Sequence, residues 1–259
     1  MIPVELKKKR WYGIEKTYKG SVPEKWSELN HKQFVAIASI IRTQQFNFKP
    51  LQAITGINKS LLEQLDNVEL YHLIEQLNWI NEAAPMNRFI IKSVGKYVTP
   101  ADMYENVSWG RFIYIDTYLC DYIENQKNET LNLLCSHLFF SKKNKTEPFN
   151  HNLSCERAIS RLITSIDINE RYALMINSLM LREWLAIKFP LIFPKPKPGQ
   201  EKTADDEKRA GKTQNPWIKM HNAIVGDNIA DYERYAELPC LVVLRYITQK
   251  IKENAKKRS

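Results

Sequence analysis

The amino-acid sequence predicts a mainly α-helical fold: a multi-helical globular domain with one small β-hairpin, followed by a flexible linker and a C-terminal helical segment. Three observations support this prediction. Apolar residues recur at three- and four-residue spacing behind polar capping residues, which is typical of helices that bury one face. The 259 residues include only eight glycines, all isolated, whereas a turn-rich β fold needs more. No apolar run approaches the ~20 residues of a membrane-spanning helix, so we expect a soluble, cytoplasmic protein.

Residues 1–24 precede the predicted core domain and combine lysines with aromatic side chains. They are expected to form an extended arm or an edge strand. The core domain is expected to span 25–193, and its first helix is expected to begin at His31. Asn30 is a favourable N-cap for that helix, and Gln33 stands three residues later, where its side chain completes a capping box.

The rest of the core domain alternates periodic apolar stretches with turn residues, which predicts helices and one hairpin. In chain order the predicted elements are short helices between Lys49 and Ile80, a β-hairpin between Pro85 and Pro100, and helices over 109–124, 131–140, 153–166 and 169–190. Ser154 is expected to cap the third of these four helices. The last one is the longest and is apolar on most faces, so it is predicted to be the central core helix.

The segment 194–214 has a composition unlike the rest of the chain. Alternating prolines and lysines give way to mixed charges without one large apolar residue. Such a segment cannot bury enough surface to offset its ordering entropy, so a flexible linker is predicted. Three further helices are expected in the C-terminal segment, 215–259. This segment either detaches from the core domain or packs on it permanently, and the sequence leaves both arrangements open.

The sequence contains no recognisable catalytic, cofactor-binding or metal-binding motif. The four cysteines lie far apart, without a Cys-x-x-Cys pair or neighbouring histidines, and the five histidines show no ligand spacing. Asp116 and Asp121 lie more than a quarter turn apart on a helix, so Asp116 is expected to hydrogen-bond a neighbouring segment instead. Gly211-Lys212-Thr213 lacks the earlier glycine and the strand of a phosphate-binding loop. A non-enzymatic protein without a cofactor is therefore predicted.

The formal net charge of +9 favours an acidic partner. Basic residues interleaved with aromatic ones bind single-stranded nucleic acid by charge and stacking, so nucleic-acid binding is an alternative function. The residues that would carry it are Lys7, Lys8, Lys9, Arg10, Trp11, Lys256, Lys257 and Arg258. Two simpler interpretations remain open: Trp11 packs on the domain while the lysines stay solvated, and the C-terminal lysines only stabilise the helix dipole.

Several stretches together form a distinctive layout. They are VPEKWSEL at 22–29, RFIYIDTYLCDYI at 111–123, the variable linker, and a terminal stretch that carries Trp217, Gly226, Asp227, Tyr232 and Glu233. This layout resembles uncharacterised proteins that are encoded in the structural gene blocks of Bacteroidetes phages and prophages, near the tail genes.

The resemblance implies a non-enzymatic role in virion assembly, as a tail-assembly chaperone or as a tail or connector component. The implied partners are other virion or assembly proteins, or a second copy of this chain, in the host cytoplasm or in the virion. A C-terminal segment that leaves the core would suit a protein that exchanges partners. The residues expected to contact the partner are Trp217, Tyr232, Glu233, Leu241 and Leu244.

Overall fold

The computed structural model describes residues 1–9, 15–82, 84–141, 149–193, 215–226, 228 and 230–257. Most of these residues are helical, so the mainly α-helical fold predicted from the sequence is confirmed. The predicted linker lies outside the described residues. Among the helices in the described ranges, none combines the length and the apolar character needed to cross a lipid bilayer.

The chain begins with an antiparallel hairpin of two strands, β1 (Ile2–Lys9) and β2 (Glu15–Val22). In place of the single arm or edge strand that the sequence predicts, the N-terminus thus pairs with itself. The hairpin contacts the core through β2 and helix α2 (Phe48–Thr55). A Cβ atom on Gly20 would lie 2.7 Å from the Thr55 carbonyl oxygen, so this close contact requires a glycine.

Helix α1 (His31–Thr43) begins as the sequence predicts, with a capping box. The Asn30 side chain accepts a hydrogen bond from the Gln33 backbone N–H at 3.0 Å, and the Gln33 side chain accepts from the Asn30 N–H at 3.1 Å. Gln33 is buried, and its amide nitrogen is satisfied there because it donates to the Ile54 carbonyl of α2 at 2.8 Å. One side chain therefore both starts α1 and holds it against α2.

The central core helix is also confirmed. The remaining core helices are α3 (Lys59–Leu62), α4 (Asn67–Glu75), α5 (Trp109–Asn125), α6 (Asn128–Leu138), α7 (His151–Ala158), α8 (Arg161–Thr164) and α9 (Ile168–Lys188). Helix α9 packs against α1, α5 and α6 and buries residues on most of its sides. This burial explains why its sequence is apolar on most faces.

The single helix predicted over 153–166 is wrong, because α7 and α8 occupy this region as two short helices. The predicted cap is also wrong. Helix α7 is capped by Asn150, whose side chain accepts from the Leu153 N–H at 2.9 Å. Ser154 instead lies inside the helix, where its hydroxyl donates to the Asn150 carbonyl at 3.0 Å. A turn at Ser160, whose N–H donates to the Arg157 carbonyl, separates the two helices.

The predicted hairpin between the two prolines is confirmed. Strands β3 (Ser93–Val94) and β4 (Tyr97–Val98) are antiparallel, and Gly95 has the positive φ that their tight turn requires. A third strand, β5 (Phe140–Ser141), pairs with β4. The pairing ends α6 before its predicted end, since the chain must leave the helix after Leu138 to reach the sheet.

The C-terminal helices are α10 (Pro216–Val225), α11 (Ala230–Glu237) and α12 (Cys240–Lys256). Both α11 and α12 pack against α5. Backbone hydrogen bonds join the two regions: the Trp109 N–H donates to the Leu238 carbonyl at 2.7 Å, and the Cys240 N–H donates to the Val107 carbonyl at 2.9 Å. In this structure the C-terminal segment is therefore packed on the core.

Candidate functional site

Asp116 on α5 lies where three helices meet. Its carboxylate accepts a hydrogen bond from the Arg182 Nε of α9 at 2.7 Å and from the Trp217 indole N–H of α10 at 2.7 Å. Only 4% of the Asp116 side chain is exposed. The prediction that Asp116 bonds a neighbouring segment is confirmed, and the contact ties the C-terminal segment to the core.

A cavity of about 740 Å³ opens beside this carboxylate. Asp116 and Asp121 both line it, but the Arg182 guanidinium pairs with Asp116, so the two acids do not form a carboxylate pair. Phe193 and Asn215 also line the cavity. These two residues border the undescribed segment 194–214, so the chain leaves and re-enters the described structure at the cavity wall.

A second buried contact joins α5 to α10 through an imidazole. The Trp109 indole N–H donates to the Nδ1 atom of His221 at 3.1 Å, and both side chains are buried. The Tyr232 ring of α11 meets the His221 ring edge-on, with the ring centroids 4.3 Å apart. His221 is thus enclosed by residues of α5 and α11, and its Nδ1 atom accepts a hydrogen bond.

This contact predicts a pH dependence of stability. Burial lowers the pKa of His221 below its ordinary value of 6.5. The unfolded chain therefore binds the proton more readily, and the stability that His221 contributes is complete above about pH 6.5 and is lost as the pH falls through the folded-state pKa. We expect His221→Gln to flatten the fall in unfolding free energy between about pH 7 and pH 5, by at most about 1.4 kcal/mol per pH unit.

Urea denaturation at several pH values would measure this slope in the wild type and in His221→Gln. His72→Gln is the matched control for removing an exposed histidine from a helix. If the wild type and His221→Gln lose stability equally on acidification, His221 does not carry the dependence.

The residues predicted to contact a partner divide between core and surface. Trp217 is 8% exposed and Leu244 is fully buried, so both pack inside this chain. Leu241 is half-buried, whereas Tyr232 and Glu233 are exposed on α11. A role of Trp217 and Leu244 in partner contact therefore requires the C-terminal segment to move away from α5.

Only some residues of the nucleic-acid alternative have side chains that the structure describes. Lys7 is exposed on β1, and Lys256 and Lys257 are exposed at the other end of the chain. Lys8 and Lys9 belong to β1, but their side chains are outside the described part of the structure. The other three predicted positions, Arg10, Trp11 and Arg258, also lie outside the described residues.

Three side chains of metal-ligand type converge where α6 packs on α7. The Nε2 atom of His137 lies 3.1 Å from the Nδ1 atom of His151, and the Cys155 Sγ atom lies 3.8 Å from that same Nδ1 atom. The three ligand atoms lie within 4.8 Å of one another. His137 is buried, and the other two side chains are half-buried.

The proton positions in this cluster follow from its hydrogen bonds. The Nδ1 atom of His137 lies 2.7 Å from the Leu133 carbonyl oxygen, which can only accept, so this nitrogen carries a proton. Burial lowers the pKa of His137 to about 3, so its Nε2 holds a lone pair at neutral pH. His151 then donates to His137, and the Cys155 thiol donates to the His151 Nε2 atom at 3.4 Å.

Aromatic rings surround the cluster. The Tyr114 ring stacks on the His151 ring with the centroids 3.8 Å apart, and the Tyr118 ring lies 5.0 Å from the His137 ring. The Arg111 guanidinium lies over the Phe140 ring and donates to the His137 carbonyl at 3.0 Å. The imidazoles are therefore held by rings and a backbone contact.

This cluster was not predicted from the sequence, in which every histidine looks isolated and no cysteine looks paired with a histidine. One local signal was present: His151 and Cys155 are four residues apart and so share one helix face. His137 precedes His151 by fourteen positions and belongs to a different helix. Only the packing of α6 on α7 brings it to the pair.

Comparison of the chain with protein-family models, with curated proteins and with solved structures gave no match. A functional assignment therefore depends on the residues and contacts described above.

Proposed function

We propose that this protein is a non-enzymatic assembly protein of a phage or prophage virion, a tail-assembly chaperone or a tail or connector component, that binds an acidic protein partner. The layout of the sequence motifs supports the phage context. The observation that carries the proposal is the solvent-facing side of α12, which combines apolar and basic residues. We call this side the α12 outer face; its apolar and basic residues are Val242, Arg245, Tyr246, Lys252 and Lys256, and Gln249 and Glu253 lie among them.

The α12 outer face lies opposite the side of the helix that packs on the core. Leu244 is fully buried and, at 100° per residue, points away from both Val242 and Tyr246, while the buried Val243 and Ile247 lie between the two sides of the helix. Val242 and Tyr246 are 50% and 46% exposed and stand one turn apart, so they form a continuous apolar pair. The pair is an exposed apolar contact on an otherwise polar side of the helix, which a partner surface could cover.

The charges around this apolar pair favour an acidic partner. Arg245 and Lys252 are exposed on the same side of the helix as Val242 and Tyr246. Glu253 is the acidic residue on this side that is nearest to the pair in sequence. Its carboxylate accepts hydrogen bonds from Gln249 and Lys250. Positive charge thus flanks an apolar centre, an arrangement that steers association with an acidic protein surface.

The test is native mass spectrometry of the full chain, co-expressed with the proteins that its neighbouring genes encode. We expect one complex of fixed stoichiometry with a neighbour-encoded protein. The double variant Val242→Asp/Tyr246→Asp should lose it, because two carboxylates would replace the apolar centre and repel an acidic partner.

The matched control is Val68→Asp/Tyr71→Asp on α4, which changes the same residue types at two positions that are each 63% exposed. This control should keep the complex. A complex that survives the α12 variant, or that the α4 variant also abolishes, would refute binding through the α12 outer face. A closed complex of this chain with itself that needs Val242 and Tyr246 would identify a second copy as the partner.

The same experiment separates assembly from the alternative, a basic helical nucleic-acid-binding protein. The net charge of +9 and the exposed Lys256 and Lys257 favour that alternative. It predicts heterogeneous adducts that nuclease removes, and an affinity that falls with salt by a slope of about 0.9 per duplex phosphate neutralised. Such adducts in place of a defined protein complex would replace the assembly proposal.

A further inference from the structure

We propose that His137, His151 and Cys155 form a binding site for a zinc ion. The site is independent of the α12 outer face and belongs to the α6–α7 pair. Its two helices supply the donors in a fixed arrangement, one from α6 and two from a single face of α7.

The distances between the donor atoms fit one metal ion. In a tetrahedral zinc site, Zn–N bonds of ~2.0 Å and Zn–S bonds of ~2.3 Å place neighbouring donor atoms about 3.3–3.6 Å apart. The His137 Nε2 to His151 Nδ1 distance is 3.1 Å, and the Cys155 Sγ to His151 Nδ1 distance is 3.8 Å. The third pair, His137 Nε2 and Cys155 Sγ, lies within 4.8 Å, so a movement of the Cys155 side chain toward His137 by up to about 1.3 Å would place all three donors around one ion.

The orientation of His137 matches that of a metal-bound histidine. Ligating histidines usually donate their second ring N–H to a carbonyl or carboxylate, which fixes the tautomer and points the lone pair at the metal. The His137 Nδ1–H donates in this way to the Leu133 carbonyl at 2.7 Å. The lone pair on Nε2, which accepts from His151 Nδ1 at 3.1 Å in the metal-free protein, becomes available to a metal when the His151 proton moves to its other ring nitrogen.

The donor set selects the class of metal. Two imidazoles and one thiolate suit zinc and related borderline-soft cations, whereas calcium and magnesium require oxygen ligands. Three protein ligands leave a fourth coordination position for water or for a donor from another molecule. The aromatic rings of Tyr114 and Tyr118 restrict solvent beside the ligands.

Binding has a defined proton balance. Bonds form from zinc to His137 Nε2, His151 Nδ1 and Cys155 Sγ, and hydrated zinc releases the waters that these donors replace. The thiol proton is released to solvent, and the His151 proton moves from Nδ1 to Nε2. The guanidinium groups of Arg111 and Arg157 lie near His137 and oppose a dication. The thiolate formed on binding offsets part of this repulsion.

Cobalt(II) titration of the metal-free full chain tests the site, because cobalt replaces zinc and reports its ligands in its absorption spectrum. We expect one cobalt per chain, the strong visible bands of tetrahedral cobalt, a thiolate-to-cobalt charge-transfer band, and displacement by zinc. Cys155→Ser and His151→Gln should each weaken binding at least ~100-fold, since loss of even an outer-shell partner costs 10–100-fold.

Two controls make the assignment specific. Cys120→Ser changes another half-buried cysteine, and His72→Gln changes an exposed histidine; both should bind cobalt as the wild type does. Circular dichroism of the metal-free variants checks that they fold. If a variant does not fold, the cobalt absorption spectrum of the wild type decides the question. Absence of cobalt binding by the wild type, binding without the charge-transfer band, or equal loss in Cys120→Ser would overturn the site and leave a hydrogen-bonded chain of three side chains.

Discussion

Replacement of Trp217 by alanine is expected to lower the free energy of unfolding by about 3–5 kcal/mol. The ring is 8% exposed and packs against two residues of α5 and one that follows α9, with its centroid 5.7 Å from that of Trp109, 5.2 Å from that of Phe112 and 5.4 Å from that of Phe193. The alanine variant loses these contacts and also the indole N–H that Asp116 accepts. Urea denaturation of the full chain measures the change.

Trp217→Phe separates the two contributions. Phenylalanine keeps most of the ring contacts but removes the indole donor and leaves that Asp116 oxygen only the Cys120 thiol at 3.9 Å, which costs about 1–3 kcal/mol. The same comparison tests whether the C-terminal segment is docked in solution. If it were detached, Trp217→Ala would change the unfolding free energy by less than about 0.5 kcal/mol, as surface substitutions do.

The outcome also bears on assembly. Trp217 and Leu244 were predicted to contact a partner, yet both are buried within this chain. A large destabilisation by Trp217→Ala would mean that releasing the C-terminal segment from the core breaks contacts that contribute several kcal/mol of stability. A partner would have to replace them, so a partner that binds the outer face of the docked α12 avoids this cost.

Local interactions explain which parts of the fold were predictable. The start of α1 depends on Asn30 and Gln33, which lie three residues apart, so sequence alone contains the whole capping box. The β3–β4 hairpin is likewise specified by β-branched residues around Gly95. The pattern of α9 was readable because a helix that is buried on most sides must be apolar on most sides.

Non-local contacts explain what was missed. The β5 strand exists because Phe140 pairs with Val98 of β4, and no local pattern indicates a strand of two residues. The buried carboxylate of Asp116 contacts Arg182, which lies 66 positions away in the sequence, and Trp217, which lies 101 positions away. The His137–His151–Cys155 cluster has the same origin, since only its second and third members lie at helical spacing.

Loss of the Arg182 side chain is expected to destabilise the fold by about 3–5 kcal/mol, because it leaves a buried carboxylate without its cation. In Arg182→Met, Asp116 keeps the Trp217 donor but loses its ion pair at 2.7 Å. The Arg182 side chain is 31% exposed, so the expected cost comes from Asp116, which is 4% exposed. Methionine has a similar length and retains apolar contact, so the change reports chiefly on the charge.

Arg234→Met is the matched control. Arg234 pairs with Asp231 on α11, but its side chain is 83% exposed, and such pairs contribute about 0–1 kcal/mol. A double-mutant cycle of Arg182→Met with Asp116→Asn isolates the pair itself. If the pair is responsible, adding Asp116→Asn recovers part of the loss, since the asparagine amide has no charge to bury. If Arg182→Met costs no more than Arg234→Met, solvent reaches Asp116 through the neighbouring cavity, and the carboxylate does not hold α5, α9 and α10 together.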